Sequence, residues 1–196
     1  MNYVPIVVEQ VPGGERAYDL YSRLLKDRII FIGTGFHPAL ANVVVAQMLY
    51  LESQDEDSDI HIYINSNGGS VHAALAIYDA IQYVRPAVST IAFGTAASAA
   101  SLILAAGTAG KRYCLPHTKI LLHQPLVMSP GIDGQVTDIE ITAEQLVKTK
   151  EELHKIYSKV TGQNITRIRK DLNRDHWLTP KEAVDYGLID KVMEKR

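Results

Sequence analysis

Asp59 to Asn65 alternates Ile60, Ile62 and Ile64 with His61, Tyr63 and Asn65, the period-two pattern of a strand with one covered face. Arg28 to Gly33 is a short apolar run and reads as a buried strand. Between them, Leu40, Val44, Met48 and Leu51 recur at helical spacing. Pro38 sits at that helix's first turn, where its missing N–H costs nothing. Upstream, Glu15 to Lys26 fits a short amphipathic helix, with Leu20, Leu24 and Leu25 on one side. Residues 1–15, ending in Gly13-Gly14, read as a mobile arm.

The same alternation of strand and helix continues. Asn67-Gly68-Gly69 makes a turn and Ser70 to Val84 returns to helical spacing. Val88 to Phe93 reads as a strand, Gly94 as its turn, and Ala96 to Ala106 as a helix of small residues. Short strands are expected near Lys111–Leu115 and Lys119–His123, then a proline- and glycine-rich loop from Gln124 to Gly134. A long helix follows to about Val160. Thr179-Pro180-Lys181-Glu182 is a capping box with proline at the first helical position. Gly187 closes that helix before a last strand, Leu188 to Val192. Strands interleaved with helices predict an α/β fold with mostly parallel pairing, in one domain spanning 1–196.

Composition narrows the function classes. The chain has 196 residues, 46% of them hydrophobic, enough for a core. Lys plus Arg is 20 and Asp plus Glu is 22, giving a formal net charge of −2. Nothing in that balance points to nucleic acid or to an anionic membrane as partner. The single cysteine, Cys114, permits no intrachain disulfide, and no Cys/His metal spacing is present. A reducing, cytoplasmic home is expected, and no metal. Pro86 to Gly110 carries no charge. Its Ala, Gly, Ser and Thr content and the break at Gly94 read as a buried strand and helix, not a membrane span.

Two segments share one plan: apolar strand, glycine turn, helix of small residues. The first runs through Ser66-Asn67-Gly68-Gly69, the second through Gly94-Thr95-Ala96-Ala97-Ser98. Each leaves backbone N–H groups at a helix N-terminus, where they either stabilise an oxyanion or simply close a tight turn. Neither GxxxxGK[ST] nor GxGxxG is present, so a nucleotide site has no support. Ser98, between Ala97 and Ala99, has the small neighbours that a nucleophile at a strand-to-helix elbow needs, although the GxSxG pattern is absent. Ser101 reads as helix packing. A serine nucleophile needs a base and an orienting carboxylate. His123 ends the apolar run Ile120-Leu121-Leu122 and is the leading base, with His61 and His72 as competitors and His154 and His176 as surface residues. Spacing leaves Asp171, Asp175, Asp185 and Asp190 all open as the acid.

Taken together, these residues resemble the ClpP family, the proteolytic subunits of the Clp ATP-dependent protease. The resemblance runs from Glu15-Arg16-Ala17-Tyr18-Asp19 to the last strand. It rests on Tyr63-Ile64-Asn65-Ser66-x-Gly68-Gly69-Ser70-Val71, Gly94-x-Ala96-Ala97-Ser98 and His123-Gln124-Pro125-Leu126. Thr161-Gly162-Gln163 and Glu182-Ala183-x-x-Tyr186-Gly187-Leu188-Ile189-Asp190 complete it. It implies a ClpP/crotonase-like fold with mostly parallel sheets, an N-terminal axial arm over 1–15 and a handle region over about 124–160, whose helix is Val136 to Val160. It implies Ser98 as nucleophile, His123 as general base, Asp175 as the triad aspartate, and the N–H groups of Gly69 and Ala99 as oxyanion donors. Tyr63, Tyr113 and Leu115 match an apolar pocket that docks ATPase loops. The implied assembly is two stacked heptameric rings, homomeric or mixed, fed with unfolded proteins by a Clp-family ATPase. No cofactor is implied in this subunit, ATP being used by the partner.

The chain also departs from the family pattern. Asn67 stands where proline is usual before the glycine pair, and Ala99-Ala100 where Met-Gly follows the nucleophile. The Val127-Met128-Ser129-Pro130-Gly131 region is longer than its counterpart, and Asn173 replaces an acidic residue beside Arg174. These departures motivate an alternative: a weakly active or silent structural ring subunit that assembles with an active paralogue. An acyl-CoA enzyme of the crotonase type would share the fold, but the Ser98, His123 and Asp175 set argues against it.

Overall fold

Ile60, Ile62 and Ile64 are fully buried, as their alternation predicts, and they form the inner row of β4 (Ile60–Ser66). The computed structural model describes residues 4–127 and 131–195. β4 lies between β3 (Ile29–Ile32) and β5 (Val88–Ala97), all parallel. β6 (Arg112–Cys114) pairs parallel with β5, and β9 (Lys191–Val192) parallel with β6. β7 (Lys119–Leu122) pairs parallel with the far end of β5, and β8 (His176–Leu178) antiparallel with β7. The result is a mixed α/β fold with a mostly parallel sheet, the architecture the sequence predicts.

Helices α2 (Pro38–Gln54), α3 (Val71–Tyr83) and α4 (Ala99–Ala106) share one core with β4's isoleucines, through residues such as Val44, Met48, Ile77 and Leu102. All eight residues of α4 are buried. The long helix α5 (Val136–Thr161) is exposed along its first half and buried at Leu153, His154 and Tyr157. Arg112 fixes its last turn: one guanidinium nitrogen donates to Val160 O at 2.7 Å while the rest of the group pairs with Asp190 at 2.7 Å. α6 (Ile165–Asp171) and α7 (Pro180–Asp185) complete the chain, α7 capped by the Thr179/Glu182 box.

Four expectations change. The segment read as an arm forms a hairpin, β1 (Ile6–Val11) with β2 (Gly14–Asp19), turning at Gly13 and Gly14, both of positive φ. The helix expected from Glu15 therefore starts at Leu20, as α1 (Leu20–Lys26), with Asp19 as its side-chain cap. Glu9 holds the hairpin to α1 through Arg23 and Lys26. Gly94 does not end its strand: β5 runs on to Ala97. Gly94 takes φ 65°, and the Asn65 side chain accepts from Thr95 N at 3.1 Å. The last strand shortens to Lys191–Val192, because Leu188 and Ile189 enter the core before it. The longer loop expected around Met128, Ser129 and Pro130 lies partly outside the described residues.

Candidate active site

Ser98 links β5 to α4 with φ 57° and ψ −124°, a backbone state costing a non-glycine residue about 1–3 kcal/mol. The surrounding bonds hold it there. Ser98 N donates to Leu121 O at 2.9 Å. Ser98 O accepts from Ser101 N at 2.9 Å and from Ser101 Oγ at 2.7 Å. The Ser98 hydroxyl caps nothing. The strain thus buys a hydroxyl turned away from the helix's own hydrogen bonding, as a nucleophile at a strand-to-helix elbow requires.

The Gly68-Gly69 turn lies against this elbow. A Cβ on Gly68 would sit 2.6 Å from Ser98 Cβ and 2.7 Å from Ala97 O, and one on Gly69 would sit 2.4 Å from Phe36 O. With φ of 92° and 148°, both positions require glycine on two independent grounds. Backbone and side-chain hydrogen bonds tie the turn that follows Asn67. Phe36 N donates to Gly68 O and Ser70 N to Phe36 O, each at 2.9 Å. Gly68 N donates to Ser66 Oγ at 3.1 Å, which itself donates to Thr34 O at 2.7 Å. Among the described residues, the N–H groups of Gly69 and Ala99 have no acceptor within the chain. Both flank Ser98, the arrangement an oxyanion hole uses.

His123 reaches the same place through β7. The parallel register pairs Ala97 with Leu121, so the residues just past both strand ends meet. Gly69, Ser98, Ala99 and His123 line one cleft of about 160 Å³, and Val71, Ala74, Leu102 and Leu153 give it apolar walls. Asp175 is exposed, on the connection between α6 and β8. The antiparallel ladder ends at Leu122 opposite His176, which places Asp175 next in line opposite His123. Among the described residues, no hydrogen bond joins Ser98 Oγ to His123, or His123 to Asp175.

The other candidates are placed elsewhere. Asp171 accepts from Tyr186 Oη at 3.0 Å, Asp190 pairs with Arg112, and Asp185 ends α7. His61 lies within β4, His72 within α3, and His176 packs against Tyr186 at 5.9 Å. His154, read as a surface residue, is 1% exposed. The helical phase that buries Leu153 and Tyr157 also carries it inward. Its burial pushes the imidazole pKa down, against an upward pull from Glu151, 3.4 Å from Nδ1. Tyr63 and Tyr113 belong to one cross-strand row, Phe31–Tyr63–Ile91–Tyr113, on the sheet face opposite β4's buried isoleucines. Leu115 follows β6 and is 41% exposed.

Local sequence did not reveal Tyr157. Its hydroxyl lies 2.8 Å from Ser101 Oγ, which bonds Ser98 O, so α5 buttresses the elbow. Burial raises the Tyr157 pKa and keeps that hydroxyl protonated. The only signal is the i, i+4 pairing of Leu153 and Tyr157 on the apolar side of α5. Ser101, read as helix packing, is that and a brace for Ser98. Among the described residues, no three His, Cys, Asp or Glu side chains gather as metal ligands do, and no helix is long and apolar enough to cross a membrane.

The family model for Clp protease matches residues 12–196, nearly the whole chain. The chain belongs to the Clp protease family. Clp proteases are peptidases, hence hydrolases, and in general work as ring-like oligomers with Clp ATPases. The mixed α/β fold with its mostly parallel sheet is consistent with a ClpP-like chain.

Proposed function

We propose that this Clp protease chain is a serine endopeptidase subunit, with Ser98 as nucleophile, His123 as general base and Asp175 as its orienting carboxylate. One observation carries the reading: Ser98, held in a strained elbow with its hydroxyl capping nothing, shares a cleft with His123 and two N–H groups that have no acceptor among the described residues. Ser98 Oγ attacks the peptide carbonyl carbon while His123 takes its proton. The carbonyl oxygen, now an anion, receives the N–H groups of Gly69 and Ala99. The C–N bond breaks, His123 returns the proton to the leaving amine, and water releases the acyl group by the same steps in reverse order. Asp175 holds the imidazole tautomer. No cofactor or metal takes part in this scheme.

Around this chemistry we place two heptameric rings in the cytoplasm, with a Clp-family ATPase seated on the Tyr63, Tyr113 and Leu115 surface and passing unfolded protein inward. Ser98→Ala should abolish peptide turnover while the ring assembles as before. Retained cleavage by assembled Ser98→Ala would refute the assignment.

A second reading rests on the missing hydrogen bonds between Ser98, His123 and Asp175 in the single chain. On it, the subunit is structural and acts by completing a ring with an active paralogue. In a mixed ring, Ser98→Ala in this subunit alone then leaves cleavage unchanged, whereas the first reading requires its share of cleavage to disappear.

A further inference from the structure

We infer that Gln124 is a positioning residue that sets the spacing between His123 and Asp175. The inference rests on the proposed roles of those two residues and adds a group that ties their chain segments together. Gln124 directly follows His123. Its backbone N–H donates to Leu172 O at 2.6 Å, and its side-chain Nε2 donates to Asn173 O at 2.7 Å. Two consecutive carbonyls, two and three residues before Asp175, are therefore held by the residue next to the base.

The anchoring is firm at one end and solitary at the other. Leu172 is fully buried and caps α6, its own N–H donating to Ile168 O at 2.9 Å. Beyond it the chain is exposed through Asn173, Arg174 and Asp175. Among the described residues, Gln124 is the only side chain that hydrogen-bonds this stretch. The β7–β8 ladder resumes only at Leu122 opposite His176. His123 and Asp175 thus face each other across a gap bounded by that ladder on one side and by the Gln124 amide on the other. Pro125, with no N–H, prevents the ladder from extending in the other direction.

Such a clamp matters because the carboxylate acts only at hydrogen-bond distance from the imidazole, and displacement of about 1 Å can cost roughly 100-fold in rate. Gln124→Met keeps length and shape but removes the donor. The assembled protein would be treated with a small fluorophosphonate, and the Ser98 labelling rate followed against pH. The parent chain, Gln124→Met, Asp175→Asn and the double variant would be compared. Gln124→Met should slow labelling roughly 10-fold or more. It should also move the acid limb of the profile to lower pH, since a more distant carboxylate favours the imidazolium less. Because Gln124 acts through Asp175, the same change should alter the rate less than twofold in the Asp175→Asn background.

Equal losses in both backgrounds, or slower labelling with an unmoved acid limb, would overturn the inference. Hydrogen exchange at residues 173–177 separates this failure from that of the catalytic reading. A parent chain that takes no label refutes the catalytic assignment. Even then, exchange unchanged by Gln124→Met refutes the clamp, and faster exchange confined to that stretch supports it.

Discussion

Ser101 and Tyr157 allow a prediction in which two deletions of one oxygen each differ in cost. Ser98 O can only accept, so the single Ser101 proton goes to it, at 2.7 Å. Tyr157 must then donate to Ser101 Oγ, at 2.8 Å. Both residues are buried, Ser101 at 0% and Tyr157 at 3% exposure. Tyr157→Phe removes a donor from Ser101 but leaves Ser101 bonded to Ser98. The expected loss is the net value of one hydrogen bond, about 1 kcal/mol. Ser101→Ala instead strands the Tyr157 hydroxyl, whose only remaining acceptor among the described residues is Ser98 O at 3.5 Å. A buried donor without a good partner costs about 1–3 kcal/mol, so this variant should be the less stable. In the double variant no donor is stranded, and adding Tyr157→Phe to Ser101→Ala should cost nothing further or restore stability. The coupling should be about 1 kcal/mol, or roughly 2–4 °C in Tm for a chain of this size. Urea unfolding at one fixed protein concentration, followed by circular dichroism, measures all four corners. Strictly additive losses, or Tyr157→Phe as the worse single variant, would refute the bonding order.

Gly68→Ala combines a φ of 92° with a Cβ 2.6 Å from Ser98 Cβ. It should cost at least about 2 kcal/mol and slow Ser98 labelling more than tenfold, read by urea unfolding and labelling rate. Asp190→Asn leaves the Arg112 guanidinium, 9% exposed, without its anion, and should destabilise by about 3 kcal/mol in the same unfolding assay. His154 is buried, its ring nitrogens without a well-formed hydrogen bond among the described residues, and is faced by Glu151, Lys150 and Arg169; burial lowers its pKa from 6.5. The unfolded chain therefore takes up a proton below pH 6.5 that the folded chain refuses. Stability should fall as pH drops from 6.5 towards the lowered folded value, by up to about 1.4 kcal/mol per pH unit. His154→Leu should flatten the urea midpoint over that window.

Where pattern and structure agree, the determinant is local. The alternation of Ile60, Ile62 and Ile64, Pro38 at a helix start and the Thr179 to Glu182 box each act within a few residues. The small neighbours of Ser98 are likewise local, but the strand end and helix start that flank it lie several residues beyond where the pattern puts them, at Ala97 and Ala99. Glycine misled where pairing decides. Gly94 reads as a turn, yet β7 takes up Thr95 to Ala97 in parallel and carries the strand through it. Gly13-Gly14 reads as the end of an arm, yet it closes a hairpin. Short α6 and β8 carry too few residues for a period to register. Asp175 could not be separated from Asp171, Asp185 and Asp190 by spacing, because the β7–β8 register that sets it next in line opposite His123 is a tertiary fact. The Tyr157 brace joins residues 56 apart, and no local pattern encodes it.

In the proposed mechanism Ser98 is an activated nucleophile. Its most direct test is intact mass after treatment of the assembled protein with a small serine-reactive fluorophosphonate, beside Ser98→Ala. One adduct per chain, absent from the variant, is the predicted result. No adduct with ring partners and ATPase supplied, or an adduct that survives in Ser98→Ala, would contradict it.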